Sequence, residues 1–364
     1  MLKTRRILAK LPIFLMAIFG SSAVAQNENN PFLTEFKLET RADVMSNFVP
    51  GGSTSDNNTA LTGRYFNLHL GGNLTDRFSY YVRQRFIASD GSVKFFDNTD
   101  FLWLNFKLNS NWSFRAGKDA LFVGGFEYDA RPIDVMYSAY YWDNYYCFQL
   151  AASATWTSND GRHKLMAQFG TSPFAFTGSP YGEQDLFSYN LMWMGQLGEH
   201  VNTLWSVNAF DNGNDLHGSG FLGNIALGTQ LKYDKWDGYL DLICRSQEFM
   251  FSEVDYSVVS RINWNATDDL KVFFKGGYEY NSDDHPSFSD DMLNYDIMSV
   301  PNSTNCFYGV GVEYRPAICK DVRAHFFVAD YNRDMHGPTG TSNIESLMVN
   351  LGLTWDINIL KHIK

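Results

Sequence analysis

The stretch Leu347-Met348-Val349-Asn350-Leu351-Gly352-Leu353-Thr354-Trp355-Asp356-Ile357-Asn358-Ile359 decides the fold. Leu347, Val349, Leu351, Leu353, Trp355, Ile357 and Ile359 share one parity, while Asn350, Thr354, Asp356 and Asn358 share the other. Side chains of an extended chain point alternately to its two faces, so this period of two reads as a strand with one oily and one polar face. It is also long enough to cross a bilayer at a tilt, which takes about 9 to 11 residues.

The same alternation recurs upstream. In Phe36 to Val44, Lys37, Glu39, Arg41 and Asp43 oppose Phe36, Leu38, Ala42 and Val44. Tyr81, Arg83 and Arg85 oppose Tyr80, Val82 and Phe86, and Trp103, Asn105 and Lys107 oppose Leu102, Leu104, Phe106 and Leu108. Followed along the chain, the pattern predicts about sixteen strands, the first over 34–45 and the last over 346–359. Their connections alternate too. Tight turns at 74–77, 109–111, 198–200, 234–235 and 266–269 interleave with long segments at 45–64, 119–146, 281–305 and 330–345. Short turns on one rim and long loops on the other mark a transmembrane β-barrel, and an even strand number places both termini at the short-turn rim.

Composition agrees with this architecture. The chain has 30 Phe, 20 Tyr and 9 Trp, yet its mean hydropathy is -0.27. Abundant aromatics without long apolar runs are what alternating strands with interfacial girdles produce. A soluble all-β sandwich would alternate as well, hiding its apolar parity inside. The strand number, the turn asymmetry and the beginning of the chain favour the membrane. Lys3, Arg5, Arg6 and Lys10, the apolar run 11–19 and Ala23-Val24-Ala25 read as a cleaved secretory signal, leaving one domain over 26–364. Its loss takes Lys plus Arg from 29 to 25 against 40 acids, a formal charge of -15. Such an acidic chain offers no basic footprint for nucleic acid. Cys147, Cys244, Cys306 and Cys319 lack metal-site spacing, and no zinc site or disulfide scaffold is expected.

In a closed ring, cations facing lipid near the midplane cost about 2 to 4 kcal/mol each, so the charged parity faces the lumen. Lys37, Arg41, Arg83, Arg85, Lys107 and Arg115 are therefore the candidate pore-lining residues of the strands, and Arg131 is the candidate carried by the long segment that follows Lys118. Glu39 and Asp43 are interleaved with them, so an anion-guiding row and a mutually neutralised wall both remain open. The segment between Lys118 and Tyr146 has the length either to fold into the lumen or to stay at the surface.

Phe101 to Glu127, FLWLNFKLNSNWSFRAGKDALFVGGFE, resembles the phosphate-selective porin O and P family in its aromatic strand, short turn and Arg-x-Gly-Lys before a Phe- and Gly-containing loop. The resemblance implies a sixteen-stranded, trimeric outer-membrane barrel whose lumenal Arg and Lys conduct anions, with Arg83, Arg85, Arg115 and Lys118 as the matching basic residues. The partners it implies are small anions or other hydrophilic solutes, outer-membrane lipid and lipopolysaccharide, and two further copies of the chain. The sequence departs from the family at Ala120, where a second Lys is frequent, and in having no Pro there. No cofactor or metal is expected. The rival functions are an outer-membrane barrel enzyme, for which no Gly-x-Ser-x-Gly or His-Glu-x-x-His is present, and a non-conducting barrel plugged by its loops.

Overall fold

The computed structural model describes residues 32–50, 57–86, 98–175, 186–211, 221–247, 249, 254–282, 302–337 and 340–363. The expected signal lies outside them. Among the described residues, sixteen antiparallel strands close into one barrel, each paired with its chain neighbours and β1 (Glu35–Phe48) with β16 (Gly340–Asn358). Closure leaves no unpaired edge, which is the condition for placing backbone amides in hydrocarbon. The seam pairs Leu38 with Ile357 and Val44 with Leu351, keeping the apolar parity of both strands outside.

That outside is apolar along its height. Leu191, Leu227, Leu240, Phe274, Val310 and Leu351 are exposed, as their parity demands. Aromatic rings cluster toward the strand ends. Trp236 stacks on Trp264 near the short turns, and Tyr256 lies 5.7 Å from Tyr280 at the other end. Trp264 and Tyr256 are eight positions apart on β12 (Asp255–Asn265), roughly 26 Å along the strand and about 20 Å of membrane normal at the usual tilt.

Two expected loops are shorter than the sequence indicates. β15 (Val322–Gly337) and β16 stay paired as far as Gly337 opposite Gly340, so 330–337 and 340–345 are extended strand. β1 and β2 (Asn58–Asn73) likewise continue into the expected 45–64 loop. In these extensions polar residues fall on both parities, as expected where both faces meet water beyond the membrane. Asn343 donates to Asn332 at 2.9 Å and to Asp334 at 2.7 Å across the β15–β16 hairpin. The ladder goes on where the oily face has stopped.

The segment 121–147, between β5 (Trp112–Ala120) and β6 (Phe148–Thr157), is folded into the barrel. It carries two short helices, α1 (Phe126–Asp129) and α2 (Tyr140–Asn144). Its Leu121, Val123, Tyr141 and Tyr145 pack on Phe210, Leu222, Ala226 and Ile243, which face inward from β9 (Val201–Asp211), β10 (Phe221–Tyr233) and β11 (Trp236–Gln247). Met136, Tyr137 and Ala139 pack on Val259, Phe273, Phe307, Phe327 and Ala329 of β12 to β15, where β13 is Leu270–Asn281 and β14 is Ser303–Tyr314. These inward hydrophobics break the polar parity only because the loop covers them.

Candidate functional site: an off-axis chamber

The loop is held by backbone polar groups that find partners on the barrel wall. Asp241 of β11 accepts the N–H groups of Phe126 and Glu127, both at 2.8 Å, at the start of α1. Glu279 of β13 accepts those of Tyr140 and Tyr141, at 2.8 and 3.0 Å, at the start of α2. A helix's first N–H groups lack internal partners and carry partial positive charge, so a carboxylate there satisfies both needs. Arg41 donates to the Val135 carbonyl at 2.6 Å, and Arg323 to that of Ile133 at 2.6 Å. Lys275 bridges Glu127 and the Tyr137 carbonyl. On the β7–β10 side, where β7 is His163–Thr171 and β8 is Phe187–Leu197, Gln168 and Asn208 hold the N–H and carbonyl of Phe122 at 2.9 and 2.8 Å. Asn208 in turn is bonded to Asn190 and Asn224.

Because the loop leans on β9 to β15, the free volume is displaced toward β1 to β8. It is a chamber of about 910 Å³ bordered by Glu35, Lys37, Glu39, His69, Tyr81, Arg83, Arg85, Asp100, Trp103, Arg115, Asp119 and the loop residues Asp129, Arg131, Trp142 and Asp143.

Of the eight sequence-derived candidates, six border this chamber and two do not. Lys37 pairs with Glu35 at 3.0 Å. Arg83 of β3 (Phe78–Arg85) donates to Asp100 at 2.9 Å, and Arg85 forms a second ion pair with the same carboxylate. Asp100 reaches both because the β3–β4 register slips between Arg83 and Gln84, leaving Asp100 as the extra residue on β4 (Thr99–Lys107). Such a bulge re-aims side chains at functional positions. Arg115 pairs with Asp119 at 2.7 Å and lies over Trp103, 4.1 Å from its centroid. Arg131 pairs with Glu39, Asp134 and Asp356 at 3.0, 2.8 and 2.6 Å. Lys118 borders the chamber although its ladder partners Leu102 and Leu150 face lipid. Strict alternation ends at the preceding Gly117, whose φ of 135° and approach to the Leu102 carbonyl exclude any side chain. Arg41 faces inward, as its parity requires, but is fully buried beneath the loop against Asp43 at 2.8 Å. Lys107 is exposed at the end of β4, beside the short turn.

The wall is therefore largely neutralised, with two local imbalances of opposite sign: two guanidiniums share Asp100, and three carboxylates share Arg131. Two loop acids moderate the opposing charge, since burial pushes the carboxyls of Asp129 and Asp143 up from the usual carboxylate range. Burial acts the same way on Asp134, but Arg323 and Arg131 outweigh it and hold that carboxyl low. Sequence reasoning missed the loop's anchors, Asp241, Glu279 and the Gln168–Asn208 pair. They sit at the expected inward parity, but nothing local marks them as loop partners rather than water-facing side chains.

A closed ladder with a lipid-facing apolar surface, polar inner parity and a long loop narrowing the lumen is the architecture of outer-membrane porins. More particularly, residues 36–185 match the family model of the phosphate-selective porins O and P, so the likeness read from Phe101 to Glu127 extends from β1 past β7. Among solved structures, the chain is similar to the anion-selective porin from Comamonas acidovorans, with a TM-score of 0.60, 10% identity and coverage of 88% of this chain and 98% of that one. The outer-membrane channel DcaP of Acinetobacter baumannii aligns with a TM-score of 0.58 at 12% identity, covering 91% and 99%. The trimer form of OmpT, an outer-membrane protein of Vibrio cholerae, gives 0.54 at 10%, covering 89% and 98%. No curated protein matches the chain.

Proposed function

We propose that the chain is a passive diffusion porin that favours anions, solutes passing through the off-axis chamber rather than along the barrel axis. The single observation that carries the preference is the sharing of Asp100 by Arg83 and Arg85, which leaves a local positive excess at that point of the chamber wall. Cationic side chains lining a narrow pore raise the local concentration of anions. The family match and an anion-selective structural relative support the same reading. A barrel enzyme would need a nucleophile and base in reach of one another, and no observation favours that alternative.

The proposed mature protein starts near Gln26 after secretory export. It assembles as a trimer in outer-membrane lipid and lipopolysaccharide, in keeping with the trimer named for the Vibrio relative. Intact mass and chemical cross-linking of the purified protein check the start and the three-copy state. The functional test is the reversal potential in planar bilayers under a potassium chloride gradient. The expected sign is that of chloride permeating faster than potassium, with a shift toward cations in Arg83→Gln with Arg85→Gln. A cation-selective channel, or no shift in the double variant, would overturn the anion reading.

A further inference from the structure

The chamber is not uniformly polar, and its apolar part is unexpected for inward parity. Met166 of β7 and Met192 and Met194 of β8 all point into it, with Met166 and Met192 directly opposite in the ladder. All three are half-buried rather than sealed beneath the loop. They lie toward the short-turn ends of their strands, Met194 four residues before Gly198 and Met166 three after His163. The cations are arranged differently. Arg83 lies 4.5 Å from the Phe101 ring centroid and 5.1 Å from that of Phe148, and Arg115 lies over Trp103.

A passage for inorganic ions gains nothing from thioethers, which neither coordinate a hard anion nor replace its hydration shell. Methionine instead offers a polarizable, adaptable surface to apolar and aromatic groups. The chamber volume also falls in the ~300 to 1,000 Å³ range typical of sites that enclose small organic molecules.

We infer that the chamber selects organic anions with an apolar body, the carboxylate facing Arg83, Arg85 and Arg115 and the apolar part lying against Met166, Met192, Met194 and the aromatic rings. This rests on the chamber being the solute path. The local positive excess at Arg83 and Arg85 attracts the solute, and the apolar surface separates an aromatic carboxylate from chloride, acetate or phosphate. A weak contact of this kind slows the solute without trapping it, as conduction requires.

The test is block of the potassium chloride current in planar bilayers by benzoate, acetate and inorganic phosphate, added singly. Benzoate is expected to half-block at about a tenfold lower concentration than acetate or phosphate, a difference of about 1.4 kcal/mol. In Met166→Gln with Met192→Gln and Met194→Gln, the benzoate advantage is expected to vanish while potassium chloride conductance and reversal potential stay unchanged. That unchanged current also reports that the variant is folded. Equal block by phosphate and benzoate, or an undiminished benzoate advantage in the triple variant, would overturn the inference and leave the anion-porin reading standing. Absence of channels in the unaltered protein would overturn both.

Discussion

Most charged side chains in the chamber have a neighbour of opposite sign, so the proposed selectivity depends on which neighbour is shared and which loses its charge first. Asp129 and Asp143 border the chamber from the loop, and burial raises their carboxyls above the ordinary value. A raised carboxyl takes up its proton at a higher pH than an exposed one, so these two lose negative charge first on acidification. Asp134 is held low by Arg323 and Arg131 and keeps its charge longer. Its contribution to stability is present above its unfolded value, about 4, and is lost as pH falls through the lower folded value. Two stages follow. From neutral pH down toward about 4, the chloride preference is expected to grow with the loop still anchored. Below that, protonation of Asp134 weakens its pairs with Arg131 and Arg323, and current noise is expected to rise. Reversal potential and noise recorded over a pH series check both, and a preference that falls on mild acidification contradicts the charge assignment.

The strands were almost fully legible in the sequence, and the loop was not. Period two is a local property, so Leu347 to Ile359 declares itself without reference to any other residue. Where both faces meet water, as in Asn332 to Asp334 opposite Asn343 to Glu345, the alternation disappears although the ladder persists. That is why β15 and β16 exceed their expected ends. The chamber was half legible: parity put Arg83, Arg85 and Arg115 inside, but Arg41 shares that parity and is sealed under the loop. Parity gives the face, whereas burial depends on contacts ninety residues away, such as Arg41 with Val135. Asp241 and Glu279 carry the loop's two helices in the same long-range way. Removing both, as Asp241→Ala with Glu279→Ala, leaves four backbone N–H groups without acceptors. Hydrogen bonds to charged groups contribute about 1.5 to 3 kcal/mol each, so losing four is expected to loosen the loop by at most roughly 6 to 12 kcal/mol while the barrel persists. Single-channel recording should then show larger or flickering conductance, with the far-ultraviolet strand signal intact. Conductance identical to the unaltered protein would mean the loop is not held by these carboxylates.

For the molecule as a whole, the barrel supplies the membrane seal and the loop supplies the asymmetry. The apolar outer parity is continuous around the ring, whereas the inner parity divides into two regions. From β9 to β15 it is covered by loop side chains in two packed clusters. From β1 to β8 it opens on the charged and methionine-lined chamber. In the proposed path along one side of the lumen, solutes would meet Arg83, Arg85 and Arg115 and stay away from the buried faces of β10 to β14. The central claim is thus one of position within the ring, and a paired accessibility experiment addresses it. In a background with Cys147, Cys244, Cys306 and Cys319 changed to Ser, Arg115→Cys places a thiol in the chamber and Ser257→Cys places one beneath the loop on β12, where Ser257 is fully buried. A charged, membrane-impermeant thiol reagent is expected to cut single-channel conductance at Arg115→Cys and leave Ser257→Cys unchanged; block at Ser257→Cys with none at Arg115→Cys would contradict the account.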